Sequence, residues 1–174
     1  MNDLLNKIQK NKPTSPVKLS SHHLLSIEGM DKLEIQNLID RADFFANLDK
    51  HSDTKFLQGY VVLNVFFENS TRTRVSFELA ARRLGAEVIN ISLINSSIKK
   101  GESLLDTAST LNAMKPDLLI VRHPHSGAPI LFADYLNCSI INAGDGRHEH
   151  PTQALLDASV SYTHLTLPTT DRGL

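Results

Sequence analysis

Strand-like and helix-like segments alternate along most of this 174-residue chain. That alternation predicts an α/β domain, a doubly wound parallel sheet of at least four strands with flanking helices. Two further observations point the same way. The stretch 60–67 (YVVLNVFF) is an almost unbroken apolar run, which a strand needs when helices cover both faces of its sheet. The segments between such runs carry apolar residues at helical spacing.

The elements follow in order. Residues 1–20 are polar, include Pro13 and Pro16, and read as a loose leader. From Met30 the spacing of Ile35, Leu38, Ile39, Ala42 and Phe45 predicts a helix. After the 60–67 strand, residues 75–84 place Phe77, Ala80, Ala81 and Leu84 on one helical face, and Gly85 is a natural stop. Ile89, Ile91 and Leu93 alternate with Asn90 and Ser92, predicting a second strand. Leu104, Ala108 and Leu111 recur at helical spacing. Residues 117–121 (DLLIV) and 138–142 (CSIIN) read as strands three and four, with a helix over 129–136 between them. A further helix is expected to begin at Pro151 and to have hardly two turns. Ser and Thr supply six of the last sixteen residues, and Pro168 would stop a helix. The string SYTHLTLPTT resembles a translated sequencing adapter, so 159–174 is read as a non-native tail without functional meaning.

Composition narrows the function. An apolar content of 41% is ordinary for a soluble core, and a formal charge of −1 gives no general attraction to nucleic acid or acidic membranes. The single cysteine, Cys138, cannot form an intramolecular disulfide. Asp3, Lys7 and Lys10 interrupt any secretory signal at the start, and no stretch approaches the ~20 apolar residues that span a bilayer. A cytoplasmic protein is the default expectation.

The chemistry concentrates in residues 66–80, FFENSTRTRVSFELA. A buried strand ends and a helix begins at Ser70, Thr71, Arg72 and Thr73. Free backbone N–H groups and the helix dipole make such a junction an anion site. The hydroxyls add donors, and Arg72 adds a planar fork matched to phosphate oxygens. The plainer alternative is a Ser/Thr N-cap with solvated arginines. No GxxxxGK[ST] loop accompanies the site, which argues against a nucleoside triphosphate. His123, His125, His148 and His150 form two His-x-His pairs that could hint at zinc, but no other ligand cluster supports a metal.

The string STRTR after an apolar strand closely resembles the carbamoyl-phosphate signature of the aspartate and ornithine carbamoyltransferases. Three further stretches match in the family's order. They are 96–103 (SSIKKGES) with Asp106 and Thr107, Val121-Arg122-His123-Pro124, and 142–153 (NAGDGRHEHPTQ). The resemblance covers roughly residues 20 to 158 and implies a carbamoyl-phosphate-binding domain over 21–158, with an aspartate-binding domain missing from the chain. It implies that Ser70, Thr71, Arg72 and Thr73 hold the phosphoryl oxygens and that Arg122 bridges phosphate and carbonyl oxygen. It further implies that His150 donates to that carbonyl oxygen with Thr73 close by, and that Gln153 meets the carbamoyl amide. Ser96 and Lys100 would complete the pocket of a neighbouring subunit in a homotrimer with shared active sites, with Ser97 the fallback register. On the residues alone, Asp145 and Glu149 read as organising the loop. No metal or cofactor is implied, and regulatory partner chains remain open.

Within the family, KGES, Arg122-His123-Pro124, and Thr152 where a Cys could stand resemble the aspartate branch. The expected reaction is carbamoyl transfer from carbamoyl phosphate to L-aspartate, giving N-carbamoyl-L-aspartate and phosphate, in de novo pyrimidine synthesis. Ornithine carbamoyltransferase is one alternative. A non-catalytic carbamoyl-phosphate-binding fragment is the other.

Overall fold

A strand covered on both faces needs apolar side chains at odd and even positions alike, and β1 (Val61–Phe66) has them, with Val62, Leu63, Val65 and Phe66 all buried. The computed structural model describes residues 19–48, 55–93 and 103–165, with side chains as far as 161. Around β1 lie α1 (Lys32–Ala46), α2 (Thr71–Arg83), β2 (Glu87–Ser92), α3 (Leu104–Ala113), β3 (Leu118–His123), α4 (Ala128–Tyr135), β4 (Ser139–Asp145) and α5 (Pro151–Leu165). All strand pairs are parallel, in the order β2-β1-β3-β4. From β1 the chain steps outward to β2, then crosses back over β1 to β3 and on to β4. The winding therefore reverses between β1 and β3. In open parallel sheets the crevice beyond the carboxyl ends of such a pair is where ligands bind.

Two apolar layers hold the sheet. On one face Leu63, Val65, Leu119, Val121 and Ile140 pack against Ala108 and Leu111 of α3 and Phe132 and Leu136 of α4. On the other, Val62, Phe66 and Ile120 pack with Ala81 and Phe77 of α2. Asn64 faces α2 from the middle of β1, fully buried. Its Nδ2 donates to the Arg74 carbonyl of α2 at 3.1 Å and to Asn90 Oδ1 of β2 at 2.8 Å. Its own Oδ1 has no partner among the described residues. The open edge of β4 is covered by Leu24, which exchanges backbone bonds with Ile140 and Asn142. No helix among the described residues is long and apolar enough to cross a membrane.

The second expected strand forms as β2, at the sheet edge, with Ile91 and Leu93 in the layer beneath α3 and Ile89 50% exposed. One expectation needs correction. Helix α5 does not end after two turns but runs fifteen residues to Leu165. Ser and Thr lose only a few tenths of a kcal/mol per residue in a helix, so their enrichment alone does not stop one, and Pro168 lies beyond it. At the other end, residues 1–18 of the expected leader lie outside the described residues. Ser20 is already tied to α1 through three bonds to the Glu34 carboxylate.

Candidate functional site

The first turn of α2 leaves its leading backbone donors open. Ser70 stands at its N-cap, yet its side chain makes no capping bond. By contrast, Ser103 at the start of α3 forms a complete capping box with Asp106. Ser70 thus occupies the N-cap position with its hydroxyl left unused by the helix. The Arg74 N–H closes the first helical bond onto the Ser70 carbonyl, so the amides of Thr71, Arg72 and Thr73 have no helical acceptor. A small polar cleft opens here, lined by Phe66, Glu68, Asn69, Ser70, Thr71 and Arg74, with Ser92 at the end of β2. Thr73 is half-buried and Arg72 is exposed.

Arg122 meets this junction from the next strand. Phe66 and Arg122 are register partners, and the Phe67 amide donates to the Arg122 carbonyl at 2.9 Å. Arg122 Nε donates to Glu68 Oε1 at 2.5 Å, and its Nη1 donates to the Ala143 carbonyl at 2.9 Å. The guanidinium is thereby held across the β1–β3 crevice, between the α2 junction and the end of β4.

His150 reaches the same place from the third side. Gly144 has φ +117°, and a Cβ there would lie 2.6 Å from Arg122 Nη1 and 3.4 Å from His150 Cδ2. Only glycine lets the arginine and the histidine close on the backbone together. Pro151 begins α5 directly after His150, as its fixed φ and missing N–H favour. Burial, and then the charge of Arg122, hold the His150 pKa below its ordinary value. The imidazole is therefore neutral near pH 7, and Thr152 Oγ1 lies 3.3 Å from its Nδ1. A hydroxyl donating there leaves Nε2–H as the donor.

The predicted residues thus divide. Ser70 and Thr71 line the cleft, Glu68 joins the cleft to Arg122, and Gly144 joins Arg122 to His150. Gln153 sits exposed one turn into α5, its amide donating to Asp157 at 2.9 Å. Ser96, Ser97 and Lys100 lie outside the described residues. His123 is buried edge-on to Phe67, its Nδ1 accepting from the His125 amide at 3.0 Å. Burial, reinforced by His125, lowers its pKa. Among the described residues no three His, Cys, Asp or Glu side chains gather as a metal site would require. Sequence reasoning gave no role to Glu68, Arg74 or Gly144. Glu68 carried a readable signal, a lone acid immediately after a buried strand. Gly144 carried only its place in a glycine-rich loop.

The doubly wound sheet thus carries free helix-start amides at its switch point, faced by an arginine and a histidine. The family described as aspartate/ornithine carbamoyltransferase, carbamoyl-P binding domain, matches residues 22–162, and the chain belongs to this family. Among similar proteins, the aspartate carbamoyltransferase catalytic subunit of Jannaschia sp. (strain CCS1) is 60% identical over 141 residues, covering 80% of this chain and 45% of the relative. That of Dinoroseobacter shibae is 61% identical over 144 residues, with the same coverage. Of solved structures, aspartate transcarbamoylase from Trypanosoma cruzi in complex with carbamoyl phosphate superposes with a TM-score of 0.78 at 38% identity, covering 87% of this chain and 47% of that one. The catalytic subunit of the M. jannaschii enzyme gives 0.76 at 42% identity, with coverage of 83% and 48%. The chain spans about half the length of the relatives it matches.

Proposed function

We propose that this chain is the carbamoyl-phosphate-binding part of an aspartate carbamoyltransferase. The enzyme would pass the carbamoyl group to the amine of L-aspartate, giving N-carbamoyl-L-aspartate and phosphate in cytoplasmic pyrimidine synthesis. The observation that carries this reading is the unbroken line of contacts from the α2 cleft through Glu68, Arg122 and Gly144 to His150. The relatives' shared name supports aspartate over ornithine as the acceptor.

In this reading the phosphoryl oxygens sit on the α2 amides, the Ser70, Thr71 and Thr73 hydroxyls and Arg72. Arg122 spans a phosphate oxygen and the carbamoyl carbonyl, and the neutral His150 donates to that carbonyl oxygen. Gln153 would have to leave Asp157 to meet the carbamoyl amide. As the amine attacks, the carbonyl oxygen takes up negative charge that Arg122 and His150 meet without reorganising. The C–N bond forms and the C–O bond to phosphate breaks. Phosphate leaves with that electron pair and is the nearest base for the amine proton. Ser96 and Lys100 would enter from a neighbouring copy in a homotrimer.

The test is calorimetric binding of carbamoyl phosphate to the chain, followed by a transfer assay after the chain is joined to the C-terminal half of a relative. Binding that vanishes in Arg122→Ala and transfer to aspartate are expected. Transfer to ornithine instead, or no binding at all, would refute the reading.

A further inference from the structure

The structure assigns Asp145 as the positioning residue that holds His150 against Arg122. This inference rests on the proposed role of His150 at the carbamoyl carbonyl.

Asp145 ends β4 with its side chain 2% exposed. Its main chain and side chain together grip Glu149, the residue directly before His150. The Asp145 amide donates to the Glu149 carbonyl at 3.1 Å, and the Glu149 amide donates to Asp145 Oδ1 at 2.8 Å. Both backbone groups of Glu149 are thereby fixed, and little freedom remains in the link to His150. The other carboxylate oxygen, Oδ2, accepts from the Gly127 amide at 2.8 Å, at the start of α4, and lies 3.2 Å from His148 Nδ1. Asn142 Nδ2 completes the set with a bond to Oδ1 at 3.1 Å. One buried carboxylate thus ties the turn after β3, the strand that carries Arg122, to the loop after β4 that carries His150.

Nothing near Asp145 needs a carboxylate for packing alone, since each oxygen faces two donors. Burial by itself would raise its pKa. Donation from Gly127, Asn142 and Glu149, with the charge of His148, outweighs that and keeps the group ionised. An amide in its place offers one acceptor and one donor, so Asp145→Asn must oppose an N–H to either Gly127 or Glu149. The side chain keeps its size while the clasp is lost on one side.

The experiment uses the chain itself with two probes, inorganic phosphate and carbamoyl phosphate, measured by calorimetry. If His150 donates to the carbonyl beside Arg122, it contributes about tenfold, the worth of one hydrogen bond, to the chain's preference for carbamoyl phosphate over phosphate. His150→Ala should erase that contribution and leave the share owed to Arg122. Asp145→Asn should erase the same contribution while its phosphate affinity stays within about twofold of wild type, because the α2 cradle is untouched. A merely structural aspartate would lower the melting temperature and leave the ratio alone. Retention of the full preference in Asp145→Asn, with loss in His150→Ala, overturns the inference. Absence of any preference in the wild-type chain instead sinks the reading of His150 itself, and the inference with it. Should Asp145→Asn not fold, amide hydrogen exchange on the wild-type chain decides. The Gly127 and Glu149 amides should be protected relative to that of Arg147, and an unprotected Glu149 amide overturns the clasp.

Discussion

Gly144 carries two demands at once, a left-handed backbone at φ +117° and the approach of Arg122 Nη1 to within 2.6 Å of where a Cβ would stand. Gly144→Ala must therefore displace the guanidinium, since the alternative is movement of β4 itself. The expected outcome is loss of stability of about 1–3 kcal/mol from the strained φ, together with a greater loss of carbamoyl-phosphate affinity than of stability. Chemical denaturation and calorimetry on one preparation check it, and unchanged affinity would count against the Arg122 placement. A second consequence concerns pH. Burial first, and then the charges of His125 and Arg122 respectively, hold the pKa values of His123 and His150 below their ordinary position. The unfolded chain then takes up these protons before the folded one. Stability should be indifferent to both groups above about pH 6.5 and should fall as pH drops from there toward the depressed values. Urea midpoints measured from pH 7.5 to 5 test this, and the slope should flatten in His123→Gln. Of these residues, Arg122 and His150 were legible from motif order because their chemistry is written in residue type. The Glu68–Arg122 pair was not, because its partners stand 54 positions apart and meet only through the β1–β3 register.

At the scale of elements, the junction of β1 with α2 does most to set the site. The helix sits over β1 through Ala81 and Phe77, and one buried polar contact, Asn64 to the Arg74 carbonyl, fixes its first turns along the strand. That contact predicts an asymmetric response to nearly isosteric changes. Asn64→Asp removes the only donor and sets a buried carboxylate against the Arg74 carbonyl and Asn90 Oδ1. The cost should be about 3–5 kcal/mol, that of an uncompensated buried charge. It should shrink as acid protonates the new carboxyl, and a loss under about 0.5 kcal/mol at pH 7 would contradict the assigned contact. The strands and helices were legible because each buried run or helical stripe is set by local periodicity. Their ends were less so. α5 outruns its expected stop because Ser and Thr enrichment does not by itself end a helix. The exposure of Ile89 depends on strand order, and alternation within one strand carries no information about which strand lies at the edge.

For the whole molecule, the decisive question is whether this domain can do more than bind. Among the described residues the site offers donors on three sides of a phosphate and a carbonyl, from α2, β3 and the loop before α5. An attacking amine must also be held about 3–3.5 Å from the carbonyl carbon and aligned with it, and water must be shut out. Ser70, Thr71, Arg122 and His150 are all committed, in the proposed reading, to the other substrate. Along α5, Leu156 is 56% and Val160 49% exposed, one helical turn apart, an apolar row of the kind that packs against further protein. We therefore expect residues 1–158 expressed alone to bind carbamoyl phosphate weakly and to form no carbamoyl-aspartate. Joined to the C-terminal half of a relative, the same residues should show transfer, and Leu156 should lose its exposure to chemical footprinting. Carbamoyl-aspartate made by the short chain would mean that the amine site lies within this domain, and the division of labour proposed here would be wrong.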